Sequence, residues 1–251
     1  MLKSPSWAFP QFVGVCGNNN LTRKALLSYF IHLILAKVLM NIYIGITGLS
    51  GVGKDSVADI LTDIAKTYGL PVHRYRLSDE IKAELARRGG DATASSREIL
   101  IKIGNELRKS HGGGVLASRT ITRYNQEAAR LESNRSGLVI AIGIRHPGEV
   151  KTFRTEWGKN GQFILVAVEA SQDSRFYRKV SRGQYMEDTS LCEKIERADS
   201  DIGILACIRL ADRRIQNNDT QDTLRATVKG FFDYSIGPVL MPPQTCKSIQ
   251  T

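Results

Sequence analysis

Acidic residues are absent from the start of this chain; none precedes Asp55. Cysteine is also scarce. Cys16, Cys192, Cys207 and Cys246 stand apart, with no C-x-x-C spacing. That argues against a disulfide framework and a cysteine zinc site, and it points to a reducing, cytoplasmic compartment. His32, His73, His111 and His146 are scattered, so they suggest no metal-ligand cluster. Aromatic residues make up only 7% of the chain, and no basic–aromatic stacking array is visible. This argues against a nucleic-acid binder, although the net charge of +10 suits a polyanionic partner. A confident membrane span is lacking as well. The apolar run from Ala25 to Ala36 is interrupted by Ser28 and His32 and soon followed by Lys37.

Residues 1–40 differ from the rest. Pro5, Pro10, Gly14, Gly17 and Asn18-Asn19-Asn20 suggest an irregular N-terminal extension. Its lack of acids is shared by targeting peptides. The simpler expectation is that translation begins at Met40 and that residues 1–39 are a dispensable extension.

What is there begins immediately afterwards. Ile42-Tyr43-Ile44-Gly45-Ile46-Thr47 is apolar and β-branched, and leads into Gly48-Leu49-Ser50-Gly51-Val52-Gly53-Lys54-Asp55-Ser56. This is the strand–loop–helix spacing of a P-loop, G-x-x-x-x-G-K-[ST], with Asp55 where Ser or Thr is usual. Glycines let successive N–H groups point inward at phosphate oxygens, and the following helix adds partial positive charge. Lys54 supplies a point charge to the outer phosphates. A plain glycine turn could join any strand to any helix, but here the spacing, the lysine and both flanking elements agree on phosphate. For Mg²⁺, Asp55 can serve as a carboxylate ligand, act through water, or leave the role to Ser56.

The spacing then predicts a helix over 54–68 and a strand over 71–77. Helices follow over about 78–88, from 95 or 96 to about 110, and over 115–132. The first helices of this group could close over a small acceptor. Gly137 to Ile144 is an almost unbroken apolar run, as in a central parallel strand, and it ends at Arg145. Pro147 starts a helix to about Trp157. Phe163 to Val168 is a buried strand, followed by a basic helix with Arg175, Arg178, Lys179 and Arg182. A helix near 191–198, a short strand over 212–217 and a helix over 220–232 complete the core. Residues 235–251 read as a loose tail. This alternation implies an α/β fold with a parallel five-stranded sheet, whose strand C-termini share one edge. Lys54, Arg145 and the late arginines Arg178, Arg182 and Arg197 would meet there, as phosphoryl transfer requires. The plain reading of the late basic helix is a solvated face.

These segments resemble the P-loop small-molecule kinases, the nucleoside monophosphate kinase and dephospho-CoA kinase group. The nearest likeness is to the dephospho-CoA-kinase-related proteins common in archaea. It rests on Gly48–Ser56, on Leu77-Ser78-Asp79-Glu80-Ile81-Lys82, on Glu106–Gly112, on Gly143-Ile144-Arg145-His146-Pro147-Gly148-Glu149-Val150, on Arg175, Arg178 and Arg182-Gly183, and on Asp212 and Asn217. It covers about 41–232. The resemblance implies a three-layer P-loop NTPase fold over 41–234, with an acceptor-binding insertion at about 78–132 and a lid at about 171–205. It implies ATP with Mg²⁺ as donor. Lys54, Arg182 and Arg197 become the catalytic candidates, with Gly48–Ser56, Arg178 and Asn217 around the nucleotide. Asp79, Lys82, Arg108 and Arg145 become acceptor contacts, and Asp55 and Ser56 metal ligands.

One departure stands out. Such proteins usually carry an acid just before Gly-Ile-Arg, and this chain has Ile142. The leading expectation is a kinase acting on a small nucleotide-like acceptor, a nucleoside monophosphate or dephospho-CoA. The alternatives are an ATP-binding regulatory protein without turnover and a nucleic-acid-binding P-loop protein.

Overall fold

The structure is a computed structural model, and it describes residues 41–91, 96–130, 137–181, 197 and 200–240. The expectations for residues 1–40 and for Arg182 lie outside these residues, as does nearly all of the helix expected at 191–198.

Strand β1 (Asn41–Thr47) runs into helix α1 (Lys54–Thr67). Strand β2 (Val72–Arg76) runs directly into α2 (Leu77–Arg87), and α3 (Arg97–His111) and α4 (Val115–Arg130) follow. Next come β3 (Leu138–Ile144), α5 (Pro147–Trp157), β4 (Gly161–Glu169) and α6 (Gln172–Val180). Helix α7 (Ile204–Arg209), β5 (Arg213–Gln216), α8 (Gln221–Ser235) and the short α9 (Gly237–Leu240) complete the order. The five strands form one sheet in the order β2-β3-β1-β4-β5, and every pairing is parallel. The expected α/β class with a parallel five-stranded sheet is what the structure shows.

Side-chain alternation explains the layers. Ile42, Ile44 and Ile46 of β1 face a core shared with α1 and α8, built from Val57, Leu61, Leu224, Val228 and Phe232. Tyr43 points to the other face, where Leu116, Phe153 and Trp157 form a second core. Both faces of the sheet are therefore buried, which is why the central strands read as continuous apolar runs. Tyr43 stacks on Trp157 with ring centroids 4.7 Å apart.

An arginine–carboxylate network fixes the inserted helices. Glu84 of α2 takes Arg88 at 2.9 Å and Arg119 of α4 at 2.9 Å, and also pairs with Arg87. Glu80 meets Arg123 at 3.2 Å, and burial raises its carboxyl above the ordinary range against the pull of that arginine. The Tyr75 hydroxyl donates to Glu127 at 2.6 Å. Burial, then that hydrogen bond, raises the Tyr75 phenol well above its usual value. These contacts hold α2 against α4 and so set the position of the junction where β2 becomes α2.

Two elements differ from expectation. Helix α7 has no counterpart in the sequence reading; its buried side chains are Ile204 and Cys207, spaced to fall on one face. The loose tail does not begin at 235. Ile236 and Leu240 are buried in the core that contains Phe232, and Gly237-Pro238 open a helical turn instead of ending structure. Proline is tolerated in a first helical turn, where its missing N–H has no intrahelical partner to lose. Among the described residues, no helix is long and apolar enough to cross a membrane.

Phe232 is fully buried, and its ring stacks on Tyr68 at 5.5 Å. Phe232→Ala is expected to cost about 3–5 kcal/mol of unfolding free energy. Denaturant titration followed by circular dichroism checks this; a loss below about 1 kcal/mol would mean that α8 is not part of the core.

Candidate functional site

Parallel strands deliver their C-terminal ends to one edge, and the loop after β1 lies at its centre. Gly48, Gly51 and Gly53 all have positive φ, which curls the loop. Gly53 shows why a side chain is excluded. Its φ is 91°, and a Cβ there would collide with the Asn217 amide. Lys54 opens α1 and folds back over the loop. Its ammonium Nζ donates to the carbonyls of Gly48 at 2.6 Å and Leu49 at 2.8 Å. The expected P-loop geometry is present, with the lysine charge held at the loop itself.

The loop is braced from beneath. Asn217 follows β5 and is only 5% exposed. Its Nδ2 donates to the Val52 carbonyl at 2.7 Å, and its backbone N–H donates to Glu169 O at 2.8 Å. Arg178 Nη2 in turn donates to Asn217 O at 2.7 Å and Oδ1 at 3.3 Å. Asn217 and Arg178, both expected around the nucleotide, therefore brace the loop from one side. Arg175 and Lys179 are 6% and 2% exposed, so α6 is not a solvated basic face. A Cβ on Gly51 would lie 2.8 Å from Arg175 O and 3.1 Å from Lys179 Cε, so α6 packs directly on the loop.

Beside Lys54 lies a cavity of about 110 Å³. Its cations are Lys54, Arg76, Arg108 and Arg145, and Ile81, Leu116 and Ile142 give it apolar walls. Arg76 ends β2 and is in register with Ile142 on β3. Ile142 is 4% exposed and registers also with Ile46. The next residue, Gly143, is the extra one in a bulge, with φ 89°, and it turns the strand end toward the cavity. Thr47 Oγ1 donates across the bulge to Ile144 O at 2.8 Å.

The carboxylates at this edge are engaged. Asp55 Oδ1 accepts from Arg76 Nε at 2.9 Å and pairs with Nη2 at 2.9 Å. That hydrogen bond is the main cause raising the Arg76 guanidinium further above its ordinary value. The Asp55 side chain is 57% exposed, so the pair is weak and exchangeable. Glu149 is fully buried. Its Oε1 accepts from Arg108 Nε at 3.0 Å and Nη2 at 2.8 Å, and its Oε2 accepts the N–H groups of Arg145 at 2.8 Å and His146 at 3.1 Å. One carboxylate thus fixes Arg108, the turn at Arg145 and the N-terminal cap of α5. Burial, and then the nearby Glu149 charge, pushes the Cys207 thiol up to about 12, which leaves it protonated and unreactive.

The structure brings Lys54, Asp55, Arg108 and Arg145 together around the cavity, and it leaves Asp79, Lys82 and Arg197 out of its lining. The reason for the first two is helical phase. Because α2 starts at Leu77, residues Leu77, Ser78 and Ile81 face the cavity, while Lys82 turns to solvent. Ser56 is half-buried in the first turn of α1.

Comparison with known proteins bears on the family. No protein-family model matches the chain. A UPF0200 protein of Hyperthermus butylicus is 31% identical over 194 residues, which is 76% of this chain and 94% of that relative. A UPF0200 protein of Pyrococcus furiosus is 33% identical over 188 residues, 73% of this chain and 92% of that relative. The chain belongs to the UPF0200 family. A shikimate kinase from Acinetobacter baumannii, solved with shikimate, covers 81% of this UPF0200 chain and 98% of its own, at 17% identity and a TM-score of 0.44. An APS kinase from Mycobacterium tuberculosis covers 77% and 98%, at 17% identity and a TM-score of 0.41. Both likenesses are loose, and nothing about the activity of this chain follows from them.

Sequence reasoning missed Arg76 in this UPF0200 chain, although the rule that found Arg145 applies to it. Arg76 is the last residue of a parallel strand, where open α/β sheets present ligand contacts. Glu149→Ala is expected to destabilise the fold by about 3–5 kcal/mol, because Arg108 would keep a buried charge without its carboxylate. Denaturant titration measures this. Wild-type stability in the variant would contradict the buried pair.

Proposed function

We propose that this chain is an ATP-dependent phosphotransferase whose acceptor sits in the cavity between β2, β3 and α3. The observation that supports this most directly is the position of Lys54. It belongs to the P-loop, and it also lines the cavity with Arg76, Arg108 and Arg145. A donor phosphate on the loop and an acceptor in the cavity would therefore meet at one lysine. The curled loop offers N–H groups to the donor, and Lys54 would leave the Gly48 and Leu49 carbonyls for a phosphate oxygen. Arg76 and Arg145 would hold and orient the acceptor, and Arg108, fixed by Glu149, adds charge at the cavity wall. Positioning and electrostatics carry such a transfer.

The residues at the mouth of the loop fit Mg²⁺. This ion binds through few protein ligands plus substrate phosphates, not through an all-protein cage. Ser56 and Asp55 would hold the ion, Asp55 by releasing Arg76. Bound there, Mg²⁺ would neutralise charge on the transferring group.

Ile142 bears on the acceptor. A hydroxyl acceptor has a proton to lose, whereas a phosphate acceptor is already anionic. With Ile142 at the strand end and Asp55 and Glu149 both engaged by arginines, the cavity suits a phosphate oxygen better. The preferred acceptor is therefore a nucleoside monophosphate, ahead of dephospho-CoA. Ile142, which puts an apolar side chain where the cavity meets the end of β3, is the feature that favours the second reading, an ATP-binding regulatory protein without turnover.

ATP consumption with Mg²⁺, screened against ribo- and deoxynucleoside monophosphates and dephospho-CoA, tests the proposal. A phosphorylated monophosphate is expected, and Lys54→Ala should lower the rate by at least about a hundredfold. ATP binding without product from any acceptor would reject turnover, and unchanged activity in Lys54→Ala would reject the loop assignment.

A further inference from the structure

Helix α3 meets the P-loop at a point that the sequence motif does not include. Arg97 is the first residue of α3, following the N-cap Ser96, and its Nη1 donates to Ser50 Oγ at 3.2 Å. Ser50 lies between Gly48 and Gly51, within the glycine-curled loop. Arg97 is only half exposed, and its Nε is buried. An arginine in a first helical turn runs against the helix dipole, which favours anions there. The charge is placed at a cost to the helix, and it is aimed at a loop built to take anions. The same helix carries Arg108, about three turns further on, roughly 16 Å along the axis and on nearly the same face. One end of α3 therefore stands at the loop and the other at the cavity, where Arg108 is locked by Glu149.

We propose that the Arg97 guanidinium is a donor-side phosphate contact, supplied to the P-loop by the helix that also lines the acceptor cavity. The inference rests on the reading of the loop as a nucleotide site and adds a cation that the motif does not contain. The Ser50 hydroxyl is a neutral acceptor, and a phosphate oxygen makes a stronger, charge-assisted bond to guanidinium. Arg97 would exchange one for the other when nucleotide binds. Because α3 is continuous, the exchange would be felt at Arg108 and would link donor binding to the acceptor cavity.

Titration of the full chain with a fluorescent ATP analogue in Mg²⁺ tests this, comparing wild type with Arg97→Ala, Arg97→Gln and Arg97→Lys. The expected result is a loss of at least about tenfold in affinity for Ala and Gln, with much of it restored by Lys. Gln keeps a hydrogen-bond donor for Ser50 but not the charge, so a residue that merely pinned α3 to the loop would tolerate Gln. Wild-type affinity in Arg97→Ala, or full affinity in Arg97→Gln, would overturn the inference while leaving the nucleotide site intact. Failure of the wild-type chain to bind ATP would overturn both. Thermal melts of the variants, expected to match wild type, separate lost contact from lost fold; affinity that falls only in step with a lowered melting temperature would also overturn it.

Discussion

The parallel pairing of β1 between β3 and β4 is the constraint on which the rest of the site depends. Three apolar strands buried on both faces leave no freedom in register, because a one-residue slip would turn every core side chain to the opposite face. With register fixed, the ends of β1 and β3 lie side by side, and β2 beyond β3 brings Arg76 level with Ile142. The P-loop, the Gly143 bulge and the arginines at the strand ends are thus positioned by the core.

Around that frame the charges fall into two kinds. Some are locked: Arg108 on buried Glu149, and Arg178 on Asn217, which holds Val52. Removing one member of such a set leaves a buried polar group exposed to its full desolvation cost. Others meet the loop or its surroundings: Lys54 donates to loop carbonyls, Asp55 pairs with Arg76 at an exposed position, and Arg97 donates to a loop serine hydroxyl. The locked charges shape the site, and these others are the groups that stand where a phosphate or a metal ion would bind.

Most of the fold was legible in the sequence. The strand runs around Ile44, Ile140 and Val166 and the helical spacing of Val57, Ile60, Leu61 and Ile64 each carry the period of their element. The P-loop was legible because chemistry dictates both its residues and their spacing. Side-chain direction was less so. Asp79 and Lys82 were expected in the cavity, but a helix that starts at Leu77 turns Ser78 and Ile81 inward instead. A solvated face was one of two readings of Arg175 and Lys179, the other being phosphate contact, and nothing local signals that α6 packs on Gly51. The Arg97–Ser50 contact spans 47 positions, and no periodicity announces such a pairing.

Amide hydrogen exchange, compared with and without saturating ATP and Mg²⁺, tests the central claim most directly. If the loop at the end of β1 is the donor site, exchange should slow in peptides covering Gly48–Ser56 and at the start of α3. Unchanged exchange over Gly48–Ser56, with ATP bound and protection confined to other parts of the chain, would contradict it.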